Sequence, residues 1–292
     1  MASASASAAA GPPRTASVDV AGRAVRYAAT GSGPPVLLLH GLERSLADWG
    51  PLQAALPGYR VLAVDLPGFG GSQPLPDWRL ASLAGQVEGV LDRLGIASGV
   101  HVVGNSLGGA VAMQLAARAP ARVSSLALLN SAGFGGNVSW ALRVLDLPLL
   151  WRLFLRPDEG LARETERLLF HDPAFATDER VATALALARR EGAARASRNM
   201  SRELGSWRGV HVGWRRELLA QVAALDTPAL VVWGTHDRIL PAGHFINAVA
   251  ALPRARTHLF PRCGHLPQIE RTAETAALLR SFWGDPRTGG DR

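Results

Sequence analysis

The stretch from Gly99 to Pro120, GVHVVGNSLGGAVAMQLAARAP, constrains the fold more than any other part of the chain. It opens with an apolar, β-branched run ending at Val103. It then passes through Gly104-Asn105-Ser106-Leu107-Gly108 and continues as a small-residue helical pattern that Pro120 stops. That order is strand, sharp turn, helix. A serine at the apex of such a turn has its hydroxyl raised above the carboxyl end of the strand. Glycines two residues to either side are required because a Cβ there strikes the neighbouring strand or helix. The helix that follows directs its unpaired N–H groups at the same point, where they would stabilise developing negative charge.

Five further short apolar runs resemble the one before Ser106: Val36 to Leu39, Arg60 to Val64, Val123 to Leu129, Ala229 to Trp233 and Thr257 to Phe260. Helical patterns separate most of them, the signature of a parallel sheet covered on both faces and hence of an α/β fold. Two shorter alternating segments around Val18 to Val20 and Ala24 to Ala28, with Gly22 between them, predict a β-hairpin ahead of the sheet. Ligand sites in parallel sheets lie off the carboxyl ends of the strands, so the polar residues that follow each run are the candidates. In chain order these are His40-Gly41-Leu42, Asp65, Ser106, Asn130-Ser131, Thr235-His236-Asp237 and Cys263-Gly264-His265. A hydroxyl, a carboxylate and an imidazole thus fall on one edge of one sheet, in the order Ser106, Asp237, His265.

The chemistry of acyl transfer asks for these residue types. A serine hydroxyl is a weak nucleophile near neutral pH and needs a base within hydrogen-bond reach. Imidazole can take the proton and return it to the leaving group. A carboxylate fixes the imidazole tautomer and stabilises the imidazolium. Two backbone donors must receive the oxyanion: the N–H of Leu107 after the serine and that of Leu42 after His40-Gly41. No metal or cofactor enters this scheme, and none is expected.

From about Val18 to Trp283 the chain resembles the α/β-hydrolase fold family, most closely at HGLERSLADW, DLPGFGGS, GNSLGG, WGTHDRILP and CGHLPQIE. The resemblance implies a mostly parallel central sheet with helices on both faces and an inserted helical cap. It also implies Ser106 as nucleophile, Asp237 as acid, His265 as base, and Leu42 with Leu107 as oxyanion donors. Alternatives for the triad are badly placed, since Asp226 precedes its strand and His258 lies inside one. His236 is expected to be an exposed loop histidine, His101 a packed core residue, Asp65 and Ser72 parts of a structural turn, and Cys263 a small buried hydrophobe.

Between the fourth and fifth sheet strands the chain runs from Phe134 to Leu225, far more than the dozen or so residues that a crossover needs. The expected organisation is a disordered tail over residues 1–16 and hydrolase core over 17–133 and 226–284. A helical cap is expected over 134–225 and a flexible tail over 285–292. The apolar stretch from Trp140 to Leu155 is expected to dock the cap and help line an acyl pocket. On this basis the favoured reading is hydrolysis of carboxylic esters with small or medium hydrophobic acyl groups, through an acyl-enzyme. The GNSLGG motif also resembles the meta-cleavage-product hydrolases, which split carbon–carbon bonds in vinylogous diketo acids and hold the substrate with a cap arginine. Arg189 or Arg190 would be that residue here. Against the second reading, those enzymes carry HG-x-GPG where this chain has His40-Gly41-Leu42-Glu43-Arg44, and a tryptophan after the histidine where this chain has Leu266. His40, Asn105, Trp140 and Leu266 complete the candidate substrate contacts. A ligand-binding protein of the same fold without catalysis is the reading of another class.

Composition excludes little but narrows the partners. The net charge of +7 comes with 31 basic residues, every one an arginine, and these are scattered among acids rather than gathered into a nucleic-acid footprint. A small-molecule substrate is expected, with no nucleic acid and no stable membrane insertion, since no run approaches the ~18 apolar residues of a spanning helix. The single cysteine fits a reducing, cytoplasmic setting. The sequence sets no oligomeric state.

Overall fold

The computed structural model describes residues 14–147 and 157–284. The chain begins with an antiparallel hairpin of β1 (Arg14–Val20) and β2 (Arg23–Thr30). Its two-residue turn places both Ala21 and Gly22 at positive φ, the backbone that matches strand twist in a tight hairpin. Strands and helices then alternate: β3 (Pro35–Leu39), α1 (Gly50–Ala54), β4 (Arg60–Val64), α2 (Leu80–Arg93), β5 (Val100–Asn105), α3 (Leu107–Arg118) and β6 (Val123–Leu129). An excursion follows, with α4 (Trp140–Val144), α5 (Glu159–Leu169), α6 (Asp178–Ala188), α7 (Ala193–Leu204), a small ribbon of β7 (Gly205–Ser206) and β8 (Gly209–Val210), and α8 (Val212–Ala223). The chain closes with β9 (Ala229–Gly234), α9 (Gly243–Ala251), β10 (Arg256–Phe260), α10 (Pro267–Glu270) and α11 (Thr272–Trp283).

The main sheet runs in the order β1-β2-β4-β3-β5-β6-β9-β10, parallel from β4 to β10 with the hairpin added antiparallel at one edge. Its strands read as continuous apolar runs because both faces are covered. Leu37, Leu39, Val102 and Leu128 pack on one side with Leu83, Val111 and Leu115 of α2 and α3. The alternate residues Val36, Leu38, Val103 and Leu129 pack on the other with Trp49, Leu52, Leu279 and Phe282. The strand order reverses at β3, with β4 on one side and β5 on the other. The loops after β3 and β5 therefore diverge and leave a crevice at their carboxyl ends.

Two boundaries differ from the sequence reading. Arg14, Thr15 and Ala16, expected within the tail over residues 1–16, pair with Ala29, Ala28 and Tyr27 in the hairpin. Arg14 and Ala16, of weak strand propensity, are drawn into β1 beside Thr15 by a ready partner strand, which propensity alone does not register. Within the excursion expected to form the cap, α8 packs instead against α3, and its Leu218 and Val222 join the core cluster of α3. Residues 1–13, the expected tail over 285–292, and the part of the Trp140 to Leu155 stretch beyond residue 147 lie outside the described residues. No described helix is long and apolar enough to cross a membrane.

Candidate active site

Ser106 sits between β5 and α3 with φ 55° and ψ −120°, a conformation that costs a non-glycine residue roughly 1–3 kcal/mol. The surroundings over-determine it. Its N–H donates to Leu129 O at 3.2 Å, and its carbonyl receives the N–H groups of Gly109 and Ala132, each at 3.0 Å. A Cβ on Gly104 would overlap the Gly108 carbonyl, and one on Gly108 would overlap the carbonyls of Leu39 and His40, so the turn closes only with glycine at both places. Leu107 opens α3, and its N–H therefore has no acceptor four residues back.

Asp237 and His265 arrive from the loops after β9 and β10. His265 Nδ1 lies 2.8 Å from Asp237 Oδ2, with both side chains almost fully buried. A carboxylate accepts only, so Nδ1 carries the proton and Nε2 is left as the acceptor. The other carboxylate oxygen, Oδ1, receives the N–H groups of Ile239 at 2.8 Å and Leu240 at 2.9 Å. The His265 backbone is tied down as well, its N–H to Leu169 O at 2.7 Å and its carbonyl to Asn105 Nδ2 at 3.0 Å. Asn105 is thus a clamp between strand end and histidine loop, while it also borders the cavity that holds Ser106 and His265.

Asn130 and Glu270 went unassigned at the level of sequence. Asn130 Nδ2 donates to Asp237 Oδ2 at 2.7 Å. Glu270 accepts from Gly264 N at 2.6 Å, Asp172 N at 2.9 Å and His171 N at 3.2 Å, and so braces the histidine loop against the excursion. The signal for Asn130 was its position just after β6; for Glu270, one residue of the CGHLPQIE motif, nothing in the spacing pointed to a role.

Around Leu42 the backbone comes close to the serine. A Cβ on Gly41 would stand 3.2 Å from Ser106 Cβ. His40 does not border the cavity. Its ring is fully buried, with Nδ1 2.7 Å from Gly41 O and Nε2 accepting from Leu66 N at 2.9 Å, and burial lowers its pKa. A neutral His40 therefore pins the turn after β3 to the loop after β4. Asp65 serves that same loop, accepting from Leu46 N and Gly71 N, each at 2.7 Å.

The cavity above Ser106 has a volume of about 570 Å³ and is roofed by residues of α4, α5, α6 and α7. Leu266, fully buried, and the roof residues Leu142, Leu161 and Leu185 give it apolar walls. Trp140 borders it and is 61% exposed. Of the two candidate arginines, Arg190 lines the cavity and Arg189 does not. Arg190 is exposed, and among the described residues neither its guanidinium nor that of Arg195, which also lines the cavity, makes a hydrogen bond or an ion pair. Arg44, also at the wall, is fully committed: it grips Asp48 through Nε at 2.8 Å and Nη2 at 2.7 Å and pairs with Glu166 of α5 through Nη1.

The remaining polar candidates lie elsewhere. His101 is stacked on Trp283 with ring centroids 5.0 Å apart and bonds Ser125 Oγ at 2.8 Å. His236 is exposed, Asp226 pairs with Arg254 at 3.5 Å, and Cys263 is buried with its thiol pKa raised by burial. No three described His, Cys, Asp or Glu side chains gather as metal ligands.

The model of the alpha/beta hydrolase fold family matches residues 34–272. The chain is 36% identical over 271 residues to the dihydrolipoyllysine-residue acetyltransferase component of the acetoin cleaving system of Cupriavidus necator, covering 91% of this chain and 68% of that protein. It is 32% identical over 264 residues to the 2-hydroxy-6-oxononadienedioate/2-hydroxy-6-oxononatrienedioate hydrolase of Comamonas testosteroni, covering 86% and 88%. Among solved structures, the 2-hydroxy-6-oxo-6-phenylhexa-2,4-dienoate hydrolase of a Rhodococcus species superposes with a TM-score of 0.78 at 27% identity, over 93% of this chain and 98% of that one. With the sheet order, the glycine-flanked Ser106 turn and a family match over most of its length, the chain belongs to the α/β-hydrolase fold family, and to its hydrolases.

Proposed function

We propose that the protein is a serine hydrolase that cleaves a carbon–carbon bond next to a ketone in a vinylogous diketo acid. The observation that carries this reading is Arg190, a cavity-lining guanidinium with no partner among the described residues, on a chain similar to two proteins named as hydrolases of hydroxy-oxo-dienoic acids. An exposed, unpaired guanidinium at the wall of a cavity with apolar and polar faces provides a bidentate partner for a substrate carboxylate. The sequence reading favoured ester hydrolysis; this likeness and the free arginine favour its alternative.

In this reading Ser106 Oγ attacks the ketone carbon as His265 Nε2 takes its proton, and Asp237 stabilises the imidazolium. The N–H groups of Leu42 and Leu107 receive the oxyanion. Collapse expels a carbanion, which is a tolerable leaving group because its electron pair delocalises into the conjugated keto acid, and a proton from the imidazolium reaches the departing fragment. Water, deprotonated by His265, then frees the acyl group from Ser106 and restores the site. The apolar wall that includes Leu266 supports a second reading, hydrolysis of hydrophobic esters, which uses the same groups and needs no arginine. The lone buried Cys263 supports a cytoplasmic setting.

The test is labelling with a fluorophosphonate followed by turnover of both substrate classes. Wild type should be labelled and should hydrolyse a diketo acid in preference to a p-nitrophenyl ester; Ser106→Ala should lose labelling and kcat by several orders of magnitude while keeping its fold. Unchanged turnover in folded Ser106→Ala contradicts the nucleophile assignment.

A further inference from the structure

The two residues that follow Leu42 each reach a different helix of the cavity roof. Glu43, at φ +62°, lies beside the hydroxyl of Ser197 in α7. Arg44 is forked onto Asp48 at the foot of the same loop and spends its remaining guanidinium nitrogen on Glu166 of α5, a residue 122 positions away in sequence. Glu166 is completely buried, and its second oxygen has no hydrogen-bond partner. Arg180 of α6 approaches Asp48 to 4.0 Å and completes the cluster. Arg44 and Arg180 then face Asp48 and Glu166, and charges balance. Burial raises the pKa of Glu43, which favours its neutral form, so no bare carboxylate need stand beside a developing oxyanion.

The strain at Glu43 gives this arrangement meaning. A left-handed backbone at a residue with a Cβ persists only where its surroundings hold it, and the internal tie of this turn is a single long bond from Arg44 N to Gly41 O at 3.3 Å. The roof therefore adds a hold through Glu166 to those that His40 and Asp48 supply from the core side. Arg44 has no guanidinium nitrogen left over for a substrate carboxylate, so its part is not that of Arg190. We propose that Glu166, acting through Arg44, is a positioning residue for the oxyanion donor: the Leu42 N–H is aimed at the reacting carbon only when α5 is seated on the turn. This rests on the reading of Ser106 as nucleophile and Leu42 as oxyanion donor. Seating the roof and forming the oxyanion hole are then one event, and an unseated roof leaves the serine poorly reactive toward water-soluble acyl compounds.

The test uses Glu166→Gln, Glu166→Ala and the double variant Glu43→Gly/Glu166→Gln in the full chain. An oxyanion donor removed outright costs on the order of 100-fold to 1,000-fold in kcat, so a misaimed one should cost about 10-fold to 100-fold in Glu166→Ala and less in Glu166→Gln. KM should stay within about threefold, and the second-order rate of fluorophosphonate labelling should fall in step with kcat, because both need the oxyanion hole. Glycine adopts φ +62° without strain, so Glu43→Gly should restore much of the activity lost in Glu166→Gln. That recovery separates aiming of the donor from general stabilisation, since the added glycine supplies no new contact to the roof. Should Glu166→Ala fail to fold, the isosteric Glu166→Gln and the double variant decide the matter. Folded Glu166→Gln with kcat and labelling rate within twofold of wild type overturns the proposal. So does loss of activity that Glu43→Gly leaves unrelieved, or a rise in KM for the diketo acid alone, which would mark Arg44 as a substrate contact. Wild type that is never labelled at Ser106 overturns the underlying hydrolase reading instead.

Discussion

Asn130 donates its side-chain Nδ2–H to Asp237 Oδ2 at 2.7 Å, the same oxygen that His265 Nδ1 approaches at 2.8 Å. The amide and the imidazole thus fix one carboxylate oxygen between them while two backbone N–H groups fix the other. Asn130→Gly should lower kcat/KM about tenfold, which corresponds to about 1.4 kcal/mol in transition-state stabilisation. Asn130 occupies φ 44°, so Asn130→Ala should lose activity similarly and also lose about 1 kcal/mol of stability that the glycine variant keeps. Paired activity and urea-denaturation measurements check this; kcat/KM within twofold of wild type in Asn130→Gly contradicts it.

Gly108→Ala should abolish soluble, folded protein or lower its melting temperature by many degrees. The added Cβ would meet the backbone carbonyls of Leu39 and His40, which belong to a central strand and the turn after it and cannot give way cheaply. Near-wild-type melting would show that α3 can slide over the sheet.

Burial pushes His101 down to about 4. Between the ordinary imidazole value near 6.5 and 4, the unfolded chain binds a proton that the native chain refuses, so stability falls as pH drops through that window and is unaffected above it. The full effect is of the order of 3 kcal/mol. His101→Gln, which can keep a hydrogen bond to Ser125 Oγ, should lose less stability than wild type between pH 7 and pH 4. The lowered pKa of buried His40 contributes to both curves and cancels in the difference. Parallel stability curves would contradict a neutral buried His101.

The sheet strands, the Ser106 turn and the order of serine, aspartate and histidine were legible in the sequence because each depends on local pattern. Apolar runs register as β3 to β6, β9 and β10, and the glycines beside Ser106 register as a turn that admits no Cβ. What stayed hidden depends on contacts between distant segments. Glu166 carried no sequence signal until the fold set it against Arg44, and α8 looked like part of the roof until it packed on α3. His40 followed an apolar run as a ligand residue would, yet its ring turned inward to bind Leu66 N. Arg190 could not be told from Arg189 because the end of a helix separates their directions within one residue.

The carbon–carbon hydrolase reading is tested most directly by the ratio of kcat/KM for a vinylogous diketo acid to that for a neutral p-nitrophenyl ester, measured in wild type and in Arg190→Ala. Wild type should favour the diketo acid by more than about tenfold, and Arg190→Ala should erase that preference by losing the acid while retaining the ester, a selective loss of at least about 1.4 kcal/mol. A wild-type preference for the ester, with both substrates equally affected in Arg190→Ala, would contradict the reading and leave an esterase.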